Sequence, residues 1–283
     1  MQEVIKDIEA LFDDGVVPSD EWCEDLGHNI ASMLKERLAE RQDDKKLRMS
    51  SLGRGNRYLW YTTRDIKKEK LTASTRIKFL YGDIIELLFI SLIRLSGHEV
   101  ANEQMEVELN GIKGHIDCTV DGELVDIKSA SSFSYIKFKD GKLSGEGNDP
   151  FGYYAQLSAY AEASGFKPAG WLVMDKQLGK ICFSKAQEWA MPDMMERSET
   201  VKEVVAQSQE PSPCAEPVAA GKSGNRKLPV TCSYCQFKEH CWRNTNQGHG
   251  LRVFAYASSI EFLTHVERLP KVPEITTKYF EEG

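Results

Sequence analysis

The 283-residue chain has no run of 18 apolar residues, so no membrane-spanning helix is expected. It lacks a signal-peptide pattern as well. The opening MQEVIKDIEALFDD is amphipathic and acidic, which reads as a soluble, intracellular protein, expected in the cytoplasm. An excess of positive charge is also missing. The net charge of −7 argues against a globally basic nucleic-acid coat while leaving room for a local groove. No internal repeat is found. There is no even set of cysteines either: seven occur, three of them bunched between positions 232 and 241, which points to a reducing compartment and metal binding over a disulfide framework. With 41% hydrophobic residues the chain can bury a full core, as one elaborated domain or a domain with an appendage.

What is present centres on residues 114–128, GHIDCTVDGELVDIK. Asp121-Gly122 between alternating apolar runs signals a two-residue hairpin loop of type I′. That loop sets Val120 opposite Glu123, Cys118 opposite Val125, Asp117 opposite Asp126 and His115 opposite Lys128. Side chains alternate faces, so Ile116, Cys118, Val120, Val125 and Ile127 point into a core while Asp117, Asp126 and Lys128 share the other face. Two carboxylates directly opposed, with Cβ atoms about 5 Å apart, destabilise a sheet unless something positive lies between them. A hard cation such as Mg²⁺, held by one or two carboxylates plus water and phosphate oxygens, meets that need. An ordinary solvated strand face explains any one of these charges, but not the registered set.

Along the chain, residues 1–47 read as helical and charged. Residues 74–95 form a long, mostly apolar helix closed by Gly97, with largely buried surroundings. Glu86 lies within it and, if buried, must pair, bind metal or be protonated; the alternative is a narrow exposed stripe on the helix. QMEVEL, Asn110-Gly111 and the hairpin give a three-stranded meander. Residues 129–150 read as a flexible loop, and a helix from Tyr153 to Ser164 places Gln156 and Tyr160 on one face. WLVMD and KICFS supply two more strands. Residues 204–228, rich in Pro, Ala, Ser and Gly, read as a linker. The expected division is an N-terminal helical region 1–47, a core 48–203, the linker 204–228, and a cysteine segment with tail 229–283. Basic residues cluster at Lys45, Lys46, Arg48, at Arg54, Arg57, Arg64, and at Lys67, Lys68, Lys70; alone, such a run is most often a solvated surface.

Cys232-x2-Cys235-x5-Cys241 has the spacing of thiolates that converge on one soft metal or cluster. Cys23, Cys214, His240 and His249 are open candidates for a fourth ligand, and with a His the site suits Zn²⁺ equally.

A helix with an acidic residue, Gly-x-x-Asp, Asp-x-Lys on the paired strand and a helix bearing Gln-x-x-x-Tyr together resemble the PD-(D/E)XK nucleases. The likeness is to their RecB-like branch, including stand-alone exonucleases of phages and CRISPR systems. It covers about residues 48–245. It implies an α/β fold: a restriction-endonuclease-like core with a mixed central sheet and β-meander flanked by helices, plus a cysteine-cluster metal-binding C-terminal segment. On this resemblance Glu86, Asp117 and Asp126 hold Mg²⁺ or Mn²⁺, Asp126 and Lys128 fill (D/E)XK, and Gln156 and Tyr160 fill QxxxY. The stretch SLGRGNRYLWY resembles a segment whose relatives carry a cysteine where this chain has Gly55 or Asn56. The resemblance favours a [4Fe-4S] cluster on Cys232, Cys235 and Cys241, with Cys23 named as the fourth ligand.

The activity so implied is metal-dependent hydrolysis of phosphodiester bonds in linear DNA, from ends and without regard to sequence, in recombination, repair or degradation. Arg57 is placed on phosphate and His115 beside Lys128, while Trp60 and Tyr61 either stack on an exposed base or simply pack a core. The expected partners are DNA with free ends or single strands, and a recombination protein. Two other classes remain open: a non-catalytic DNA-binding or mediator module with a vestigial site, and an iron-sulfur redox protein.

Overall fold

A computed structural model of the chain describes residues 1–39, 45–145, 147–257 and 259–281. The expected helix over 40–44, position 146 of the expected loop and positions 282–283 of the tail lie outside the described residues. The chain divides into two compact units, neither of them contiguous: the first comprises 1–44, 48–53 and 74–199, the second 45–47, 54–73 and 200–283. The expected N-terminal region therefore falls in one unit with the core, 54–73 leaves the core for the second unit, and the later division comes at 199–200, beside the expected 203.

The first unit is a mixed sheet of order β1-β4-β5-β6-β7, built from β1 (Val100–Ala101), β4 (Cys118–Val120), β5 (Glu123–Ala130), β6 (Pro168–Asp175) and β7 (Ile181–Lys185). Only the β5–β6 pair is parallel, joined by a crossover through α5 (Ser132–Lys139) and α6 (Tyr153–Ser164). One sheet face, carrying Cys118, Val120, Val125, Ile127 and Leu172, is covered by Val4, Ile5 and Ile8 of α1 (Gln2–Asp13) and by Phe89, Ile90 and Ile93 of α4 (Ala73–Leu95). The opposite face packs Trp171 against Tyr154 of α6 and Phe138 of α5. On α2 (Asp20–Leu38), Trp22 Nε1 donates to Ser91 O at 3.1 Å and Arg37 pairs with Asp83 at 2.7 Å, fastening that helix to α4.

The Asp121-Gly122 turn has both residues at positive φ, 49° and 80°, as a type I′ loop requires. The register follows as expected, with Cys118 opposite Val125 and Val120 opposite Glu123. The meander does not extend further. β2 (Glu106–Leu109) and β3 (Ile112–His115) form a separate two-stranded sheet, and His115 pairs with Glu106, not Lys128. The strand breaks at Ile116–Asp117 because the Asp117 side chain itself takes the Ile127 N–H at 2.7 Å. Within the expected loop 129–150, β5 runs to Ala130 and α5 follows under a Ser131 cap. α4 is buried only over its C-terminal half; Ile77, Phe79 and Tyr81 in its first turns are about half exposed.

In the second unit, α3 (Asn56–Thr62) packs Trp60 and Tyr61 on Phe237. Four short strands, β8 (Val218–Ala219), β9 (Arg226–Lys227), β10 (Arg252–Ala255) and β11 (Ile260–His265), form an antiparallel sheet of order β10-β11-β9-β8. This sheet has no counterpart in the sequence reading. It also corrects the linker at 204–228, which contains β8 and β9 and is tied down by Trp60 Nε1 to Gln207 O (2.8 Å) and Arg57 Nε to Pro211 O (2.5 Å). Composition favouring a linker is overridden where side chains elsewhere satisfy the segment's carbonyls. No helix among the described residues is long and apolar enough to cross a membrane.

Candidate metal centre and cysteine pocket

β5 places Asp126 and Lys128 on the sheet face that also carries Leu124, as two-residue alternation dictates. Asp126 is only 1% exposed. Its Oδ1 accepts from Lys128 Nζ at 2.8 Å, while Oδ2 stands 2.7 Å from the same nitrogen but out of line, leaving that oxygen with no hydrogen bond. Asp117 sits at the break between β3 and β4. Glu86 reaches in from α4 and accepts from Gln104 Nε2 at 2.6 Å.

Electrostatics tie the three acids together. Burial, then the Asp117 charge, pushes Glu86 up to about 8. Burial pushes Asp126 up to about 7, against the pull of Lys128. Asp117 is also raised, by burial. Burial opposes the charge on Lys128, yet Asp126 and Asp117 outweigh it and hold the ammonium above its ordinary value. α6 adds Tyr160, whose hydroxyl lies 3.4 Å from Gln156 Nε2 and is pushed up to about 12, chiefly by burial. Gly114 makes room for it: a Cβ there would lie 2.8 Å from the Tyr160 ring and 2.7 Å from Met49.

Glu86, Asp117, Asp126, Lys128, Gln156 and Tyr160 therefore all fall in the first unit, where mutual charge effects connect them. Gln104 was missed. Besides donating to Glu86, it gives its backbone N–H to Asp117 O at 3.1 Å, from a left-handed conformation (φ 48°) that is uncommon outside glycine. A polar residue between short strands carries no sequence signal for such a role. His115 is exposed, with Nε2 3.9 Å from Glu106, and is not a partner of Lys128.

In the second unit, Cys232 on α7 (Val230–Ser233), Cys235 and Cys241 at the end of α8 (Lys238–Cys241) line one pocket together with Cys214. Burial and the neighbouring thiols of Cys235, Cys214 and Cys241 push Cys232 up to about 12; burial pushes Cys235 to about 11. Cys23 is not among them: it is exposed on α2 in the first unit. The placement of Arg57, Trp60 and Tyr61 on DNA is corrected too. Trp60 and Tyr61 are 8% and 1% exposed, too buried to stack on a base. Arg57 is engaged by Glu210 (3.1 Å), by the Pro211 carbonyl and by Cys241 Sγ (3.5 Å). Arg64 lies 3.6 Å over the Trp60 ring and donates to the Gln207 carbonyl. These basic residues serve the unit's own interior.

No family model matches the chain, and no curated protein does. Among solved structures, one titled "Crystal structure of SSO0001" is similar over 75% of this chain and 93% of its own, with 15% identity and a TM-score of 0.39.

Among the described residues, no three His, Cys, Asp or Glu side chains are closed to the spacing of a single bound ion. The donor chemistry nonetheless suits metals of two kinds. Three carboxylates that burial makes costly to ionise without a positive partner, one with an oxygen that lacks a hydrogen bond, suit a hard divalent cation. Four thiols lining one pocket, where Cys235, Cys214 and Cys241 add to burial in raising Cys232, suit a soft metal, which binds by displacing thiol protons.

Proposed function

We propose that the chain is a metal-dependent deoxyribonuclease hydrolysing phosphodiester bonds of linear DNA, with Glu86, Asp117 and Asp126 as the ligands of Mg²⁺ or Mn²⁺. The observation that carries this reading is the convergence of three carboxylates around one lysine, where burial pushes the acids up and their charge keeps the lysine protonated. A divalent cation held there neutralises charge on a phosphate and acidifies a bound water. The chain's own residues account for the rest. Lys128, fixed by Asp126, presents a permanent positive charge to a phosphate oxygen or orients the attacking water. Tyr160, held neutral, serves as a hydrogen-bond donor with Gln156, positioning substrate without moving protons. Gln104 positions Glu86 and Asp117 against each other. The second unit is read as a structural staple around a [4Fe-4S] cluster, with Zn²⁺ as the alternative occupant of its thiols.

Asp126→Asn tests the centre. Cleavage of end-labelled DNA in Mg²⁺ should fall about 100-fold or more while DNA affinity stays close to wild type; retention of more than a few per cent of the rate rejects the site. These contacts address phosphates and carry little sequence information, so cleavage should be indifferent to sequence. Linear DNA should be consumed from its ends while covalently closed circles of the same sequence survive. Equal loss of both forms would mean an endonuclease.

A further inference from the structure

Gly55 and Cys214 contend for one space. A Cβ built on Gly55 would lie 2.5 Å from both the Cβ and the Sγ of Cys214, closer than two side chains can approach. Backbone conformation is not the reason for glycine at this position. Gly55 caps α3 with φ −66°, open to any residue, so what keeps a side chain out is the thiol already there. Cys214 thus enters the cysteine pocket at the place where a residue-55 side chain would begin, beside Cys232, Cys235 and Cys241.

The segment bearing Cys214 is held for this purpose. Gln207 and Pro211 carbonyls accept from Trp60 and Arg57, and Tyr61 Oη donates to Glu210 at 2.5 Å. Charge fits as well. Arg54 and Arg57 both border the pocket, and Arg57 Nη1 donates to Cys241 Sγ. Two guanidiniums offset the two negative charges left when four thiolates ligate a doubly positive cluster core.

We propose that Cys214 is the fourth thiolate ligand, delivered from the 207–214 segment into the space that an unsubstituted Gly55 leaves, so that Cys214, Cys232, Cys235 and Cys241 hold the [4Fe-4S] cluster. This inference rests on the cluster reading of the second unit. It makes cysteine at 55 and cysteine at 214 mutually exclusive, and therefore exchangeable.

The test uses the full chain purified without oxygen, with iron, acid-labile sulfide and visible absorbance as readouts and circular dichroism to confirm folding. Wild type and Cys23→Ser should each carry roughly four iron and four sulfide per chain. Cys214→Ser should lose iron several-fold. The double variant Gly55→Cys, Cys214→Gly should restore the cluster; glycine is needed at 214 because an alanine Cβ would still meet the new side chain at 2.5 Å. A Cys214→Ser protein with wild-type iron and sulfide overturns the proposal, as does a folded double variant without a cluster. Wild type that carries zinc, or no metal, instead overturns the cluster reading itself, so the two failures are distinguishable.

Discussion

Glu86 shows most directly what burying the carboxylates costs in stability. An acid whose folded pKa is raised costs nothing below its unfolded value, about 4.3, and the cost grows as pH rises until it is complete above the folded value. For Glu86 that upper limit is about 8. Metal-free protein should therefore lose thermal stability between pH 5 and pH 9. Glu86→Gln keeps an oxygen to accept from Gln104 and removes the charge, so it should raise Tm by a few degrees at pH 9 and leave it unchanged at pH 5. It should also shrink the stabilisation that Mg²⁺ gives. An equal Mg²⁺ effect in wild type and variant, read by calorimetry, would remove Glu86 from the ligand set. At this scale the sequence was informative wherever placement follows from local pattern: the shared sheet face of Asp126 and Lys128 was legible from one hairpin. Gln104 was not, and Cys214 stood only as one of four open candidates. Their placement depends on a left-handed backbone residue and on an approach to Gly55 from far along the chain, and neither leaves a spacing to read.

Between elements, His98 is a pH-dependent clip. It follows α4, and its Nε2 lies 3.0 Å from Asp7 of α1 while Nδ1 lies 2.8 Å from Asp121 in the β4–β5 turn. Burial opposes its charge, but hydrogen bonds to Asp121 and Asp7 outweigh this and raise the imidazole above its ordinary value. A raised base stabilises the fold fully below the unfolded value, near 6.5, and the benefit is lost as pH climbs through the folded one. Both carboxylates are partly exposed, so the contribution is about 1 kcal/mol or less. His98→Gln should lower Tm at pH 5.5 and match wild type at pH 9; an equal loss at both values would make the role one of packing. The elements legible in the sequence were those with strong punctuation: the two Asx-Gly turns, α4 ended by Gly97, and α6 over the expected Tyr153–Ser164. α5 escaped because Phe133 and Ile136 are exposed while Tyr135 and Phe138 are buried, which blurs any apolar period. The strand break at Asp117 escaped because a side chain there takes over a backbone partner's hydrogen bond.

For the whole molecule, the division into units separates the two proposed metals: the carboxylate centre belongs entirely to the first unit and the four cysteines to the second. A ligand that binds only the folded form stabilises by RT ln(1 + [L]/Kd), about 2.7 kcal/mol at one hundred times Kd, and it protects the amides whose opening disrupts its site. Hydrogen exchange should therefore assign each metal to its own segments. Mg²⁺ should slow exchange around Asp117 and along β5, with little effect on α3. Removing iron should speed exchange in α3, in 207–214 and in 232–241, because α3 and the 207–214 segment are joined through the residues that border the thiols. It should leave β5 unchanged. Neither outcome follows from sequence order, since residues 54–73 precede the whole first-unit sheet yet belong with cysteines that begin only at position 214. If either metal altered exchange throughout both units, they would open as one cooperative body and the cysteine site would be more than a local staple; if iron loss left α3 untouched, it would not be a staple at all.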